Sequence, residues 1–141
     1  MKTIKTFTAA VLLILSTGAF AADEANNQKL QMDYTIKTYI DAISNGKVKG
    51  ISEVFDNEVR STLTRGEKII NSGRADILGA LKTNENMVQN CSTSYSIVEM
   101  NTSQSIVKVI MKYEGFSRVN YLTMSNTSKG WKITNIASTF I

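Results

Sequence analysis

The stretch that decides the fold is RVNYLTMSNTSKGWKITNIASTF, which occupies residues 118–140. Apolar and polar side chains alternate from Arg118 to Asn126, and a second alternating run extends from Trp131 to Phe140. Alternation is typical of strands, because successive side chains point to opposite faces. Thr127 to Gly130 is polar and ends in glycine, as many turns do. The stretch therefore predicts an antiparallel hairpin.

More strands are predicted upstream of this hairpin. Cys91 to Met100 and Gln104 to Gly115 are rich in β-branched and apolar residues and are separated by a short polar turn. A smaller hairpin is predicted from Val59 to Ile70, with its turn at Gly66-Glu67. The later part of the chain thus has the pattern of an antiparallel meander.

Helices are predicted before these strands. Apolar residues recur at spacings of three and four from Leu30 to Ser44, from Lys47 to Phe55 and from Arg74 to Leu81. Asn45-Gly46 ends the first helix, because glycine tolerates the left-handed conformation of a helix end. With 141 residues, of which 43% are hydrophobic, the chain predicts one α+β domain over residues 30–141.

The first 21 residues have the features of a secretory signal peptide. Lys2 and Lys5 precede an apolar run from Phe7 to Leu15. Ala19 and Ala21 then supply the small residues that a signal peptidase requires at its cleavage site. We predict cleavage after Ala21, a disordered lead-in over residues 22–29 and a periplasmic or secreted protein. No later segment has the roughly 20 apolar residues of a membrane span, so no membrane association is expected after cleavage.

Charge and composition exclude several classes of function. Cleavage leaves 14 basic against 12 acidic side chains, and the basic residues are dispersed, which argues against nucleic-acid binding. The chain has no histidine and one cysteine, so His and Cys metal sites are not expected, and neither is a cofactor. Cys91 is either a small buried hydrophobe or the link of a disulfide between two chains.

Several short segments, in this order, carry a resemblance to a known superfamily. They are Tyr39 to Ile43, Asn45-Gly46, Ile51 to Phe55, Tyr121 to Thr123 and Gly130 to Ile133. Together they resemble the nuclear transport factor 2-like superfamily and, within it, the secreted bacterial proteins called putative lumazine-binding or SnoaL-like. The resemblance covers residues 30–141.

This resemblance implies a cone-shaped fold. N-terminal helices would pack in a strongly curved, mixed and mainly antiparallel sheet, with an apolar cavity between the two layers. The superfamily includes isomerases, dehydratases and polyketide cyclases, and also non-catalytic modules for binding or dimerisation. Because one fold serves all of these, the fold does not decide the function.

The resemblance also indicates where catalysis would occur. Catalytic members place a histidine or carboxylate base in the cavity, where burial raises the pKa of a carboxylate, often with a tyrosine donor. Without histidine, the weak candidates are Asp56 or Glu58 as base and Tyr39 as donor. Each acidic residue has a simpler interpretation, as a turn residue or a solvated strand start. We therefore assign no catalytic residue from the sequence.

Aromatic side chains are the candidates for ligand binding. They combine apolar area with, in tyrosine, an orienting hydroxyl, and we expect the cavity to be lined by Tyr39, Phe55, Tyr95, Tyr113, Tyr121 and Trp131. The alternative is core packing, which the sequence favours for Phe55 and Trp131.

The opposite face of the strands predicts an interface. Five apolar residues would point to the convex side and form a homodimer contact: Ile106, Ile110, Leu122, Met124 and Ile136. A single β-bulge would reverse this assignment.

Three hypotheses of function remain. The first is a non-enzymatic module that binds a small apolar or aromatic ligand or dimerises. The second is an isomerase- or cyclase-like enzyme that uses Asp56 or Glu58 with Tyr39, and the third is an interaction protein whose cavity is filled by its own side chains. The absence of a clear general base favours the first.

Overall fold

The computed structural model describes residue 27 and residues 30–141. The helices are α1 (Met32–Asn45), α2 (Ile51–Val54) and α3 (Arg74–Thr83). The strands are β1 (Phe55–Arg65), β2 (Lys68–Ser72), β3 (Ser92–Met100), β4 (Gln104–Lys112), β5 (Ser117–Thr127) and β6 (Gly130–Phe140). The predicted α+β class is confirmed.

The strands form one curved, open sheet in the order β2-β1-β6-β5-β4-β3. Neighbours pair antiparallel except β1 and β6, which pair parallel, so the sheet is mixed and mainly antiparallel, as expected. The hairpin predicted at residues 118–140 is β5 and β6, and it occupies the middle of the sheet. Strand β3 lies at one edge and β2 at the other.

Helix α1 packs against the inner face of the sheet. Ile36, Tyr39 and Ala42 on this helix belong to one buried cluster with Val107 and Val109 of β4. The hydroxyl of Thr35 donates a hydrogen bond to the carbonyl of Trp131 over 2.8 Å, which ties α1 to the start of β6. The core therefore lies between α1 and the central strands.

The second predicted helix is shorter than expected. Only Ile51–Val54 is helical, because Gly50 adopts a left-handed conformation with φ of 83° that interrupts a helix. Strand β1 then begins at Phe55, so Asp56-Asn57 lies in an irregular part of this strand and not in a turn. The smaller hairpin is confirmed, with Gly66-Glu67 between the paired residues Arg65 and Lys68.

The predicted facing of three interface residues is wrong. Leu122, Met124 and Ile136 are buried in the core, with at most 3% of their surface exposed. Leu122 pairs with buried Val107 and so shares its inner face, whereas Tyr121 is 39% exposed. Both sets of alternate side chains on β5 contain apolar residues, so alternation alone did not reveal which set lies inside.

A bulge adds to this reversal on β6. Thr123 pairs with residue 135 and Met124 with Ile133, so Thr134 is an extra residue on β6. Ile133 and Ile136 therefore both reach the core although their positions differ in parity. The facing of a strand cannot be extrapolated across such a bulge.

The predicted signal peptide, its cleavage after Ala21 and most of the predicted lead-in over residues 22–29 lie outside the described residues. Within the part that the structure describes, no helix is both long and apolar enough to cross a membrane.

Candidate functional site

A cavity of about 310 Å³ lies beside α1, between α3 and the inner face of the sheet. Its wall combines residues of α1, α3, the segment that follows α3, and strands β1, β2, β4, β5 and β6. Most of the wall is apolar, with Ile43, Ile77, Leu81, Met111 and Ile136 among its members. Its size and composition match those of small-molecule sites.

Tyr39 brings a hydroxyl from the middle of α1 to this cavity. The residue is 2% exposed, and its hydroxyl makes no hydrogen bond to another described residue. Burial raises the pKa of Tyr39 to about 12, and the positive charge of Arg118 opposes part of that rise. The hydroxyl therefore stays protonated near neutral pH and is a donor for a bound molecule.

Arg118, Asn120 and Ser138 form a polar group, of which Arg118 and Ser138 line the same cavity. The Nε atom of Arg118 donates to Oδ1 of Asn120 over 3.1 Å, and Oγ of Ser138 donates to the same oxygen over 2.6 Å. Arginine can only donate, so these bonds fix the orientation of the Asn120 amide. The Nδ2 atom of Asn120 is buried and has no partner among the described residues, which costs about 1–3 kcal/mol.

Tyr113 adds a second hydroxyl at the end of β4. It donates to Oε1 of Gln89 over 3.2 Å, and its ring stacks on Phe116 at a centroid distance of 4.7 Å. Burial raises the pKa of Tyr113, and the neighbouring Cys91 raises it further, whereas Arg118 opposes the rise. Cys91 itself is half-buried.

The segment from Asn84 to Gln89 closes one side of the cavity and is anchored to the end of α1. The amide of Asn86 donates to the carbonyl of Gly46 over 2.9 Å, and the amide of Gln89 donates to the carbonyl of Ser44 over 2.7 Å. Gly46 has φ of 65°, and a Cβ atom at this position would lie 2.6 Å from the Asn86 amide nitrogen. Glycine is thus required for this close approach.

Two of the six aromatic residues expected at the cavity, Tyr39 and Tyr113, line it. Phe55 is buried in the core, and Trp131 is half-buried against the same core. Tyr121 lies on the outer face, where the Nζ atom of Lys108 is 5.9 Å from its ring centroid.

Tyr95 is a different case, because its inner-face position on β3 lies away from the cavity. This exposed tyrosine donates from its hydroxyl to Oδ1 of Asp33 over 2.5 Å, and Asp33 also forms an ion pair of 2.7 Å with Lys37. The hydrogen bond from Lys37, followed by that from Tyr95, lowers the pKa of Asp33. Tyr95 therefore helps to seat the start of α1 on β3.

The candidate bases are not brought to the cavity. Oδ2 of Asp56 accepts the backbone amide of Glu58 over 2.8 Å, and Glu58 is exposed. Neither residue belongs to the cavity wall. The wall does contain Asp76, an exposed residue in the first turn of α3 that accepts the amide of Gly73 over 3.3 Å. The residues that the structure describes contain no cluster of three metal-ligating side chains.

Arg118, Asn120 and Ser138 were not predicted as site residues from the sequence. The sequence did contain a pattern that indicates them. Arg118 and Asn120 lie on the same side of β5 as the apolar residues Leu122 and Met124. Two polar residues on an otherwise apolar inner face are unusual. They indicate that the core is polar at this end of β5. This signal becomes visible only when the inner face of β5 is assigned correctly.

Comparison with known families agrees with the fold. The model of the family described as "Putative lumazine-binding" matches residues 27–137. The chain belongs to this family. The solved structures below show that it has the nuclear transport factor 2-like fold, as its sequence predicted. No protein with a curated description matches the sequence.

Solved structures show the same architecture at low sequence identity. A nuclear transport factor 2-like protein of unknown function from Silicibacter pomeroyi is 13% identical, with a TM-score of 0.65 over 89% of this chain and 98% of that one. A similar protein from Cytophaga hutchinsonii is 16% identical, with a TM-score of 0.60 over 76% and 93% of the two chains. At these identities the likeness establishes the fold alone.

Proposed function

We propose that the protein is an exported, non-enzymatic module that binds a small molecule in the cavity between α1, α3 and the sheet. The observation that carries this proposal is the cavity itself, whose volume of about 310 Å³ suits a small ligand. Its apolar wall offers hydrophobic contact, and the hydroxyls of Tyr39 and Tyr113 offer orientation. The signal-peptide pattern in the sequence supports export.

The same geometry favours binding over the two alternatives. A general base must lie within hydrogen-bond reach of its substrate, and neither Asp56 nor Glu58 lines the cavity. An interaction protein with a filled cavity would leave no such volume. Lumazine, named in the family description, has a flat aromatic ring system, and an apolar cavity edged by tyrosines is compatible with such a ring.

Native mass spectrometry of the protein purified from its own host tests this proposal. We expect a reproducible bound mass that is released on unfolding. Ile77→Trp, which adds bulk to the cavity wall, should abolish the bound mass, whereas Ala75→Trp on an exposed position of the same helix should retain it. A bound mass that is unchanged in Ile77→Trp would show that the ligand lies elsewhere.

We also propose that the protein is a homodimer, through the outer face of the central strands. Ile106, Ile110 and Tyr121 lie on this face, and Ile106 and Tyr121 are each more than a third exposed. The register places Ile106 and Ile110 on either side of Lys108, which pairs with Tyr121. Apolar and aromatic side chains on two neighbouring strands suit a second copy of the chain.

A further inference from the structure

We propose that the ligand of this cavity carries an anionic group, such as a carboxylate, which the guanidinium of Arg118 binds while the body of the ligand lies against the apolar wall. This inference rests on the proposed binding function and names the chemical class of the ligand. It concerns the polar end of the cavity, where Arg118, Tyr39 and Tyr113 come together.

The charge of Arg118 has no carboxylate partner in the part of the chain that the structure describes. The ion pair found there joins Lys37 and Asp33 near the start of α1. Arg118 is half-buried and lines the cavity, and one of its five N–H groups is used by Asn120. A partly buried positive charge gains from an anion, because the surrounding apolar groups screen it less than water does.

Asn120 and Ser138 hold this guanidinium in place. The amide oxygen of Asn120 accepts from Nε of Arg118 and from Oγ of Ser138 at the same time. Arg118 and Asn120 lie two residues apart on the inner face of β5. Ser138 lies on the neighbouring strand β6 and is the cross-strand partner of Asn120. The Nη atoms, which are the part of arginine that forms paired bonds to a carboxylate, are left for a ligand.

The neighbouring groups suit an anion as well. Tyr39 and Tyr113 line the same cavity as Arg118. The protonated hydroxyl of Tyr39 can donate to a carboxylate oxygen, whereas the hydroxyl of Tyr113 already donates to Gln89. Asp76 is the one carboxylate in the described cavity wall, and its exposed side chain accepts the amide of Gly73. The cavity wall also includes the apolar side chains of Ile77, Leu81 and Met111.

Two probes of the same shape test the inference. 2-Naphthoate and its neutral amide, 2-naphthamide, are titrated by calorimetry into the purified protein. We expect naphthoate to bind at least about tenfold more tightly, because hydrogen bonds between charged groups are stronger than those to a neutral amide. Tenfold corresponds to about 1.4 kcal/mol.

Variants assign this difference to Arg118. Arg118→Met should remove the preference for naphthoate over naphthamide, and a circular dichroism spectrum that matches the wild type shows that the variant is folded. Arg118→Lys should retain part of the preference. Arg65→Met, at an exposed arginine outside the cavity, is the matched control and should bind both probes as the wild type does.

The outcomes separate the two proposals. If naphthoate and naphthamide bind with equal affinity and Ile77→Trp abolishes both, the anionic preference is overturned and the binding function stands. If Arg118→Met still prefers naphthoate, a group other than Arg118 binds the carboxylate, and the inference is also overturned. If neither probe binds, the inference is overturned, and the native mass measurement decides the binding function separately.

Discussion

The Nε atom of Arg118 donates a 3.1 Å hydrogen bond to Oδ1 of Asn120, and this oxygen also accepts the hydroxyl of Ser138 over 2.6 Å. Asn120 is fully buried and Ser138 nearly so. The centre of the sheet thus contains a polar junction in which one amide oxygen joins β5 to β6 through side chains. Its energetic coupling can be measured directly.

A double-mutant cycle should show that Asn120 and Ser138 act together. We expect Asn120→Ala and Ser138→Ala to be non-additive in the free energy of unfolding, with a coupling of about 1 kcal/mol, the usual net contribution of a hydrogen bond. Urea unfolding of the wild type, both single variants and the double variant measures this coupling. Ser128→Ala, in the turn at the other end of the hairpin, should be additive with Asn120→Ala. Strict additivity for the first pair would show that the bond contributes nothing.

Tyr39 should make stability fall in alkaline solution. Its pKa in the folded protein is about 12, above the ordinary value of 10.0, so the unfolded chain loses this proton first. The contribution is fully present below pH 10 and is lost as the pH rises through 12. At pH 11 we expect the loss attributable to Tyr39 to be on the order of 1 kcal/mol.

Chemical unfolding at pH 9 and pH 11 measures this effect. Tyr39→Phe should lose less stability than the wild type between the two pH values, by that amount. Tyr121→Phe removes a hydroxyl from the exposed outer face and is the matched control. Equal alkaline losses in the wild type and Tyr39→Phe would contradict the prediction.

Gly46→Ala should be much more damaging than Gly66→Ala. Both glycines have φ near 60°, so alanine pays a similar conformational cost of about 1 kcal/mol at each. At Gly66 a Cβ atom meets nothing within 4 Å, whereas at Gly46 it lies 2.6 Å from the backbone nitrogen atoms of Asn86 and Met87. Backbone cannot yield as a flexible side chain does, so we expect at least about 2 kcal/mol of further destabilisation.

Urea unfolding of both alanine variants measures this difference, with Gly66→Ala as the matched control. Gly46→Ala should also weaken ligand binding, because the displaced segment carries Gln89, which accepts the hydrogen bond from Tyr113. Similar stabilities of the two variants would mean that the segment after α3 moves aside freely.

The proposed homodimer should depend on Ile106. Placing a charge in a buried apolar contact is costly, so Ile106→Glu should give a monomer, whereas the wild type forms a dimer. Light scattering across a range of concentrations reports the mass of each. Ile69→Glu, on an exposed position of β2 at the sheet edge, should leave the dimer intact. A wild type that stays monomeric at every concentration would remove the dimer.

The sequence by itself determined the architecture of this protein. Helical spacing before Gly46, alternation over residues 118–140 and glycine at the turns are local properties, and the structure contains the elements they predict. The family resemblance followed from the order of the same elements. Local physics is sufficient here because hydrophobic periodicity and glycine conformation act within a few residues.

Only the tertiary structure decided the facing of β5 and β6 and the composition of the cavity. Both faces of β5 carry apolar residues, and its pairing with Val107 and Val109 of β4 selects Asn120 and Leu122 as the inner pair. The extra residue at Thr134 then changes the parity of β6. These features are long-range, because they depend on which side chains α1 covers. They place Arg118, and not most of the predicted aromatic residues, in the cavity wall.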